Sequence, residues 1–336
     1  MILSVLGAVL SVSCSTAGTV DARQQATGKA VCVGHHALRL PATADVRISA
    51  TYSGLGVRDE GKAEWQQVEL SLRDQAREAK VLPSPGSERA RALYRAAGVD
   101  PDVAFADSRL VGFDVQGEQA VIARHAQSSG YSIEVHRMYG GHHFVFEGSH
   151  ANAGQYPVVR NGVLAAVARF TPLASGEVPD SGGFCTGNGM FALKGRNDVG
   201  GDTSLYVTFP EYPGLHFSMS LYGLVARGDE PSFLERVGRG LFELRMSGGK
   251  VRTLHRGTRT HAGQKGKLVA ISMPLENGGE GRAYKYFWHA DGVPQDPFRP
   301  EIEAEMMTDT DASSVDGETI EALWQQIMGS LQPRGP

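Results

Sequence analysis

The stretch GGFCTGNGMFAL, residues 182–193, repeats a pattern that first occurs in VCVGHHALRL, residues 31–40. Both stretches contain a cysteine that is followed by one residue, a glycine and a short apolar segment. After each cysteine the chain offers an alternating segment, an amphipathic helix, further strand patterns and a closing helix. This repetition predicts an α+β fold of two similar units, each an antiparallel sheet with packed helices.

Length and composition agree with two units. The chain has 336 residues, 41% of them hydrophobic and 21% charged, and a formal net charge of -4. These values are typical of a globular protein and exclude disordered, collagenous and multi-span membrane classes. They also lack the basic excess that nucleic-acid binding needs. We predict an N-terminal α+β domain over 31–173 and a C-terminal α+β domain over 182–333, each with its own core and able to fold alone.

Hydrophobic periodicity places the elements of the first unit. Residues 47–52 alternate as a half-buried strand, and a stripe beginning at Trp65 and ending at Ala79 predicts an amphipathic helix. Hairpins are expected at Gln116-Gly117-Glu118 and at Gly140-Gly141. A closing helix is expected from Pro157 to Phe170.

The second unit follows the same plan. A hairpin is expected around Pro210–Gly214 and a helix over 229–244, and three strands are expected over 251–260, 267–273 and 282–289. Alternation at Ile302, Ala304 and Met306 continues the sheet. Asp316 is the expected N-cap of the last helix.

The first residues are typical of an export signal. Residues 2–13 are uncharged and end at Cys14, and the next residues are small and polar. We predict a lipoprotein signal over 1–14, lipidation at Cys14 and a tether over 15–30, so that the protein is anchored by lipid to the bacterial envelope and lies in the periplasm. The alternative is a buried N-terminal strand with an incidental cysteine.

If Cys14 carries lipid, two cysteines remain. Cys32 and Cys185 hold equivalent positions at the starts of the two units. In an oxidising compartment such a pair is expected to form a disulfide between the units. The alternative is two buried free thiols.

Signatures of catalysis are missing from the sequence. It has no Gly-x-Ser-x-Gly elbow, P-loop, His-Glu-x-x-His or paired Cys-x-x-Cys motif, so we predict no catalytic, cofactor-binding or metal residues and no enzyme activity.

Adjacent side chains on a strand point to opposite faces, so neither His35-His36 nor His142-His143 can chelate one ion alone. A cluster of histidines from neighbouring strands remains an open alternative. A solvated helix cap is the expected role of five acidic residues: Asp309, Asp311, Asp316, Glu318 and Glu321. The aromatic run 284–289 is interpreted as part of a sheet core.

Several short motifs together carry a family resemblance. The chain resembles the periplasmic immunity lipoproteins of type VI secretion phospholipase effectors, the Tle cognate immunity proteins. The residues that carry the resemblance span nearly the whole mature chain: Cys32-Val33-Gly34-His35 with Arg39-Leu40-Pro41, Gly183-Phe184-Cys185, Pro213-Gly214-Leu215-His216-Phe217-Ser218, and the end of the chain from Ser313 to Pro333 with Leu323-Trp324.

This resemblance implies a two-domain, claw-like protein that grips a lipase effector and stops the movement of its lid. Such an inhibitor acts by binding alone and needs no catalytic group or cofactor. The alternative is a periplasmic lipoprotein that binds a small ligand between its two domains, and a third is an envelope enzyme of unrecognised type.

Overall fold

The computed structural model describes residues 28–335, except 80–87, 99, 102–109, 126–129, 151–154, 175, 181, 196–197, 199, 227–249, 277, 279–280 and 311–314. The predicted signal over 1–14 with Cys14, nearly all of the tether and the helix expected over 229–244 lie outside these residues. None of the helices that the structure describes is both long and apolar enough to cross a membrane.

Strands dominate the described chain. In chain order they are β1 (Lys29–Val33), β2 (His36–Leu40), β3 (Asp45–Tyr52), β4 (Leu55–Lys62), β5 (Leu110–Gln116), β6 (Gln119–His125), β7 (Tyr131–Tyr139), β8 (His142–His150), β9 (Phe170–Pro172), β10 (Phe184–Cys185), β11 (Gly189–Phe191), β12 (Gly201–Thr208), β13 (Leu215–Tyr222), β14 (Arg252–His261), β15 (Gln264–Pro274), β16 (Arg282–Ala290), β17 (Glu301–Thr308) and β18 (Gln332–Pro333). The described helices are α1 (Trp65–Ala79), α2 (Glu88–Ala96), α3 (Tyr156–Val167) and α4 (Gly317–Ser330).

Local sequence signals account for most of these elements. The predicted hairpins join β5 to β6, β7 to β8 and β12 to β13. At Gly140 and Gly141 φ is +57° and +81°, a conformation that favours glycine over any residue with a Cβ atom. The side chain of Asp316 accepts a hydrogen bond from the Thr319 N–H and caps α4, as predicted. The closing helix of the first unit is shorter than expected, because Phe170 lies on β9.

The main correction to the predicted fold concerns the sheet. Twelve antiparallel strands form one continuous sheet in the order β14-β15-β16-β17-β13-β12-β3-β4-β8-β7-β6-β5. The strands of the two predicted units meet where β12 pairs with β3, over eight residues from Gly201↔Tyr52 to Thr208↔Asp45. Antiparallel sheets with packed helices are confirmed, but the expected pair of separate sheets is replaced by one large sheet that both halves share. Two small sheets, β1-β2-β18 and β10-β11-β9, accompany it.

The cores correct the expectation that each unit closes its own interior. The C-terminal core surrounds Trp324 of α4 and includes Val33 and Leu38, which come from β1 and β2. The N-terminal core surrounds Phe146 and includes Phe184 and Phe191, which come from the start of the second unit. Each core therefore contains a segment from the other half of the chain. The domain boundaries at 173 and 182 stay a prediction.

The two exchanged segments touch where they cross. Gly34 and Cys185 exchange two backbone hydrogen bonds, of 3.0 and 2.9 Å, and form an isolated antiparallel bridge. Cys32 and Cys185 are joined by a disulfide with their Cα atoms 5.8 Å apart. The predicted bridge is thus present at the crossing, where it links β1 to β10.

Candidate functional site

Among the described residues, none on one face of the sheet centre belongs to the core clusters. Along β12, Thr203, Leu205 and Val207 are buried, while the residues between them point to the opposite face and are exposed or half-buried. The same alternation continues in the neighbouring strands β3, β13 and β17. We call the surface made by these alternate residues the central polar face: Asp45, Arg47, Ser49, Thr51, Asp202, Ser204, Tyr206, Thr208, His216, Ser218, Ser220, Tyr222, Glu301, Glu303, Glu305 and Met307.

The central polar face is acidic and carries exposed aromatic rings. It holds five carboxylates, two from aspartates and three from glutamates, against one arginine, Arg47. Burial raises the pKa of Glu305, and the charge of Glu303 adds to this effect although Lys285 opposes it. Tyr206 and Tyr222 are 43% and 36% exposed. Tyrosines with a free ring face are common anchors of protein interfaces.

A cleft opens at the junction of the two halves, on the side of the sheet that Val46 and Ile48 share, opposite the central polar face. The junction cleft has a volume of about 890 Å³ and lies between β1, β3 and residues 172–174 and 176–177. Ile48, Phe144 and Leu173 supply apolar walls, and Asp59 and Glu177 supply carboxylates. The cleft is large enough for a drug-sized molecule or for a protruding loop of another protein.

A polar cluster holds the two halves together at the seam. The hydroxyl of Tyr52 donates a hydrogen bond of 2.5 Å to Asp198, and Arg169 donates one of 3.0 Å to the Tyr52 oxygen. Burial and the Asp198 hydrogen bond raise the pKa of Tyr52 to about 12. Burial alone would raise the pKa of Asp198, but hydrogen bonds from the Lys194 N–H, Tyr52 and the Gly200 N–H outweigh it and lower that pKa. Both pKa shifts keep the proton on Tyr52 and off Asp198, so the hydrogen bond between them persists around neutral pH.

The C-terminal tail meets the disulfide. Arg334 is buried, and its guanidinium donates to both Cys32 Sγ and Cys185 Sγ at 2.9 Å. It also donates to the carbonyl oxygens of Pro179, at 2.8 Å, and Gly183, at 3.3 Å. Sequence reasoning missed this residue, because an arginine near a chain end carries no local pattern that distinguishes it from an exposed one.

The histidine pairs take separate positions. His35 and His36 are both buried, and burial lowers the pKa of His36 to about 3, with His35 adding a smaller effect. His143 does form a cross-strand pair, since its Nε2 lies 3.0 Å from His136 Nδ1. His136 Nε2 also lies 3.2 Å from Glu134. In the aromatic run, Tyr286 and Trp288 are buried in the C-terminal core, which is the predicted role.

The described members of the acidic group near the last helix form no common ligand cluster. Asp316 is used as the cap, and hydrogen bonds from Thr319 lower its pKa. Glu321 lies on α4, 3.2 Å from His255. Asp311 lies outside the described residues. What the structure shows of this group agrees with a helix cap.

Comparison with protein families decides the assignment of the C-terminal part. Residues 177–336 match the model of the Tle cognate immunity protein 4 C-terminal domain. This part of the chain is similar to that domain family. The resemblance seen in the sequence motifs is thereby confirmed. No curated protein sequence matches the chain.

Solved structures show the same fold over nearly the whole chain. The apo structure of the immunity protein TplEi of the type VI secretion system (T6SS) of Pseudomonas aeruginosa is 17% identical, with a TM-score of 0.71, and covers 91% of this chain and 97% of its own. The crystal structure of the Tle4-Tli4 complex contains a chain that is 16% identical, with a TM-score of 0.71 and coverages of 92% and 98%. TplEi complexed with "L" peptide is 17% identical, with a TM-score of 0.67 and coverages of 92% and 99%.

Proposed function

We propose that this protein is an immunity protein, which binds a cognate type VI secretion phospholipase effector and inhibits it. The observation that carries the proposal is the family match of residues 177–336, in a chain whose fold is shared with immunity proteins over more than nine tenths of its length. One of these similar structures is of a complex named Tle4-Tli4, and another contains a bound peptide.

The central polar face and the junction cleft are the surfaces that we assign to the effector. Tyr206 and Tyr222 stand on a rigid sheet, so their rings lose little conformational freedom when a partner covers them. The surrounding carboxylates favour a partner with a basic surface and speed its association. A loop of the effector that enters the cleft would add contacts from both halves of the chain.

Inhibition follows from binding alone. A protein that contacts only the closed state of an effector lid shifts the lid equilibrium toward that state. We therefore propose that the effector is held with its lid closed, in the periplasm, by an immunity protein that is lipid-anchored through Cys14.

The first test is protection of cells. The neighbouring genes are searched for a phospholipase, and a phospholipase found there is expressed in the periplasm. It is co-expressed with the wild-type protein, with Tyr206→Ala/Tyr222→Ala, or with the control Leu70→Ser, which changes an exposed residue on α1. We expect wild type and Leu70→Ser to restore survival and to suppress phospholipid hydrolysis, and the double variant to bind at least ten times more weakly. Wild type that neither binds nor protects against a linked phospholipase contradicts the proposal.

The volume of the junction cleft favours one alternative, a small ligand bound between the halves. Native mass spectrometry of protein purified from periplasm would then show a stoichiometric adduct. The variant Ala174→Trp, which narrows the cleft at an exposed lining residue, would lose the adduct. An immunity protein of the proposed kind shows no adduct and keeps its fold in this variant.

A further inference from the structure

Three ligating side chains converge on the strands β16 and β17. His289 on β16 lies directly opposite Glu303 on β17, and Glu301 lies two residues earlier on the same face as Glu303. One ligand atom from each of the three residues lies within 4.8 Å of the others. His289 is 6% exposed, while both glutamates are half-buried. The group is therefore preformed on a rigid sheet, at the edge of the central polar face.

The imidazole of His289 has carboxylates on both sides. Its Nε2 lies 2.8 Å from Glu301 Oε1, and its Nδ1 lies 3.4 Å from Asp291 Oδ1. Metal-binding histidines in proteins commonly present one nitrogen to the ion and direct the other N–H toward a carboxylate. Without an ion, the 2.8 Å contact with Glu301 favours a proton on Nε2. An ion bound at Nε2 would replace that proton, and Asp291 would then accept from the Nδ1–H.

The local charge favours a cation. Glu305 lies two residues after Glu303 on the same face, which adds a third carboxylate to this strand. Two lysines flank the group. Lys267, opposite His289, is exposed and lies 3.4 Å from Thr258 of β14, and Lys285, opposite Met307, offsets part of the charge near Glu305. The carboxylates still outnumber these lysines, and a divalent ion would reduce the repulsion between Glu301 and Glu303.

We propose that His289, Glu301 and Glu303 form a binding site for a divalent first-row transition metal ion, of which Zn²⁺ fits best. One imidazole and two carboxylates are three protein ligands, and zinc completes a tetrahedron of this kind with a water molecule. Calcium needs about six to eight oxygen ligands, so it fits this set poorly. Because the ligands come from two neighbouring strands, the bound ion would also fasten β16 to β17. This inference stands apart from the proposed function.

Isothermal titration of the untagged, EDTA-treated protein with Zn²⁺ tests the site. We expect one saturable site and a higher Tm in Zn²⁺, because an ion that binds only the folded state stabilises it. Glu303→Gln removes one ligand with little change in shape and should weaken binding at least tenfold. Two controls should keep wild-type affinity for Zn²⁺. Glu318→Gln changes an exposed carboxylate on α4, and His143→Gln breaks the close pair of His136 and His143, which lies outside the proposed site.

Other outcomes overturn the site. One is the absence of saturable binding at micromolar Zn²⁺, and another is an unchanged affinity in Glu303→Gln. A third is loss of binding in His143→Gln with Glu303→Gln unaffected, which would move the ion to the other pair. Tm values measured in EDTA show whether each variant is folded, and Glu301→Gln replaces Glu303→Gln if the latter is not. Equal affinity for Ca²⁺ and Zn²⁺ also contradicts the assignment.

Discussion

The segments around Cys32 and Cys185 look like equivalent starts of two units, yet they enter opposite cores. β1 and β2, which follow the chain through Cys32, pack against α4 in the C-terminal core, and β18 pairs with β2. β10 and β11, around Cys185, pack against the N-terminal strands, where Phe191 stacks on Tyr52 with ring centroids 4.4 Å apart.

The repeat in the sequence is therefore not a repeat of independent units. Each core is completed by a segment that lies beyond the predicted boundary of the other unit. The disulfide, the Gly34↔Cys185 bridge and Arg334 lie where the segments cross. The crossing therefore holds the two cores together, whereas the sequence predicts two separate domains.

Cutting the chain at the boundary tests the exchange most strongly. Produced alone, residues 31–173 and 182–333 should each fail to fold, because each lacks a segment of its core and the loss exceeds the typical stability of a domain. Circular dichroism and proton NMR would show this, and co-expression of the two pieces should restore a folded complex. Two separately folded halves with cooperative unfolding would refute the exchange.

Truncating Phe191 tests whether the second segment belongs to the N-terminal core. Phe191→Ala removes a fully buried ring that contacts Tyr52, Phe146 and Phe170, and should lower the free energy of unfolding by about 3–5 kcal/mol. The control Val158→Ala, at a side chain 76% exposed on α3, should change it by less than about 0.5 kcal/mol. Urea denaturation measures both. Equal small effects would place Phe191 outside a packed core.

Removing the disulfide measures how much the covalent link at the crossing contributes to the free energy of unfolding. The bond closes a loop with a sequence separation of 153 residues, and Cys32→Ser/Cys185→Ser should cost about 2–4 kcal/mol of unfolding free energy. Denaturation of the oxidised protein with and without reductant gives the same difference independently. Peptide mapping without reductant should recover the two cysteines linked, and two alkylatable thiols in that experiment would contradict the pairing.

The pH dependence of the free energy of unfolding tests whether His36, on β2, is shielded from solvent in the folded protein. The folded pKa of His36 is lowered to about 3, so the unfolded chain binds a proton below pH 6.5 that the folded chain does not. The contribution of neutral His36 is fully present above pH 6.5 and is lost as the pH falls toward 3, at about 1.4 kcal/mol per pH unit.

His36→Phe keeps an aromatic ring and removes this titration. The free energy of unfolding of wild type should therefore fall more steeply than that of His36→Phe between pH 6 and pH 4. The control His255→Asn, at a half-exposed imidazole, should follow wild type. Identical slopes in all three proteins would mean that His36 is accessible to solvent.

Short-range patterns were enough for most of the elements. The alternation in β3, β12 and β13, the glycine turns and the Asp316 cap depend on neighbours within a few residues, and all appear where the sequence predicts them. The prediction from periodicity is wrong at Phe170. Its apolar side chain continues the helical spacing of α3, but the residue belongs to β9. Periodicity alone could not separate these outcomes, because a single apolar residue at the end of a stripe fits either element.

The candidate site could be predicted from the sequence less completely than the helices and strands. Alternation shows that Tyr206 and Glu303 lie on the face opposite the core, but only the strand order places them on one surface. The cluster of His289, Glu301 and Glu303 depends on the register of β16 against β17, and a shift of one residue would separate its members.

Local patterns in the sequence predict most of the described strands and helices, the family resemblance and the cysteines available for pairing. The long-range arrangement is seen in the folded protein alone: β3 pairs with β12, the two halves share the large sheet, and Val33 and Phe191 enter the opposite cores. The physical reason is that the hydrophobic effect is not directional. An apolar strand face records that it must be buried, whereas the pairing of distant strands selects the core that buries it.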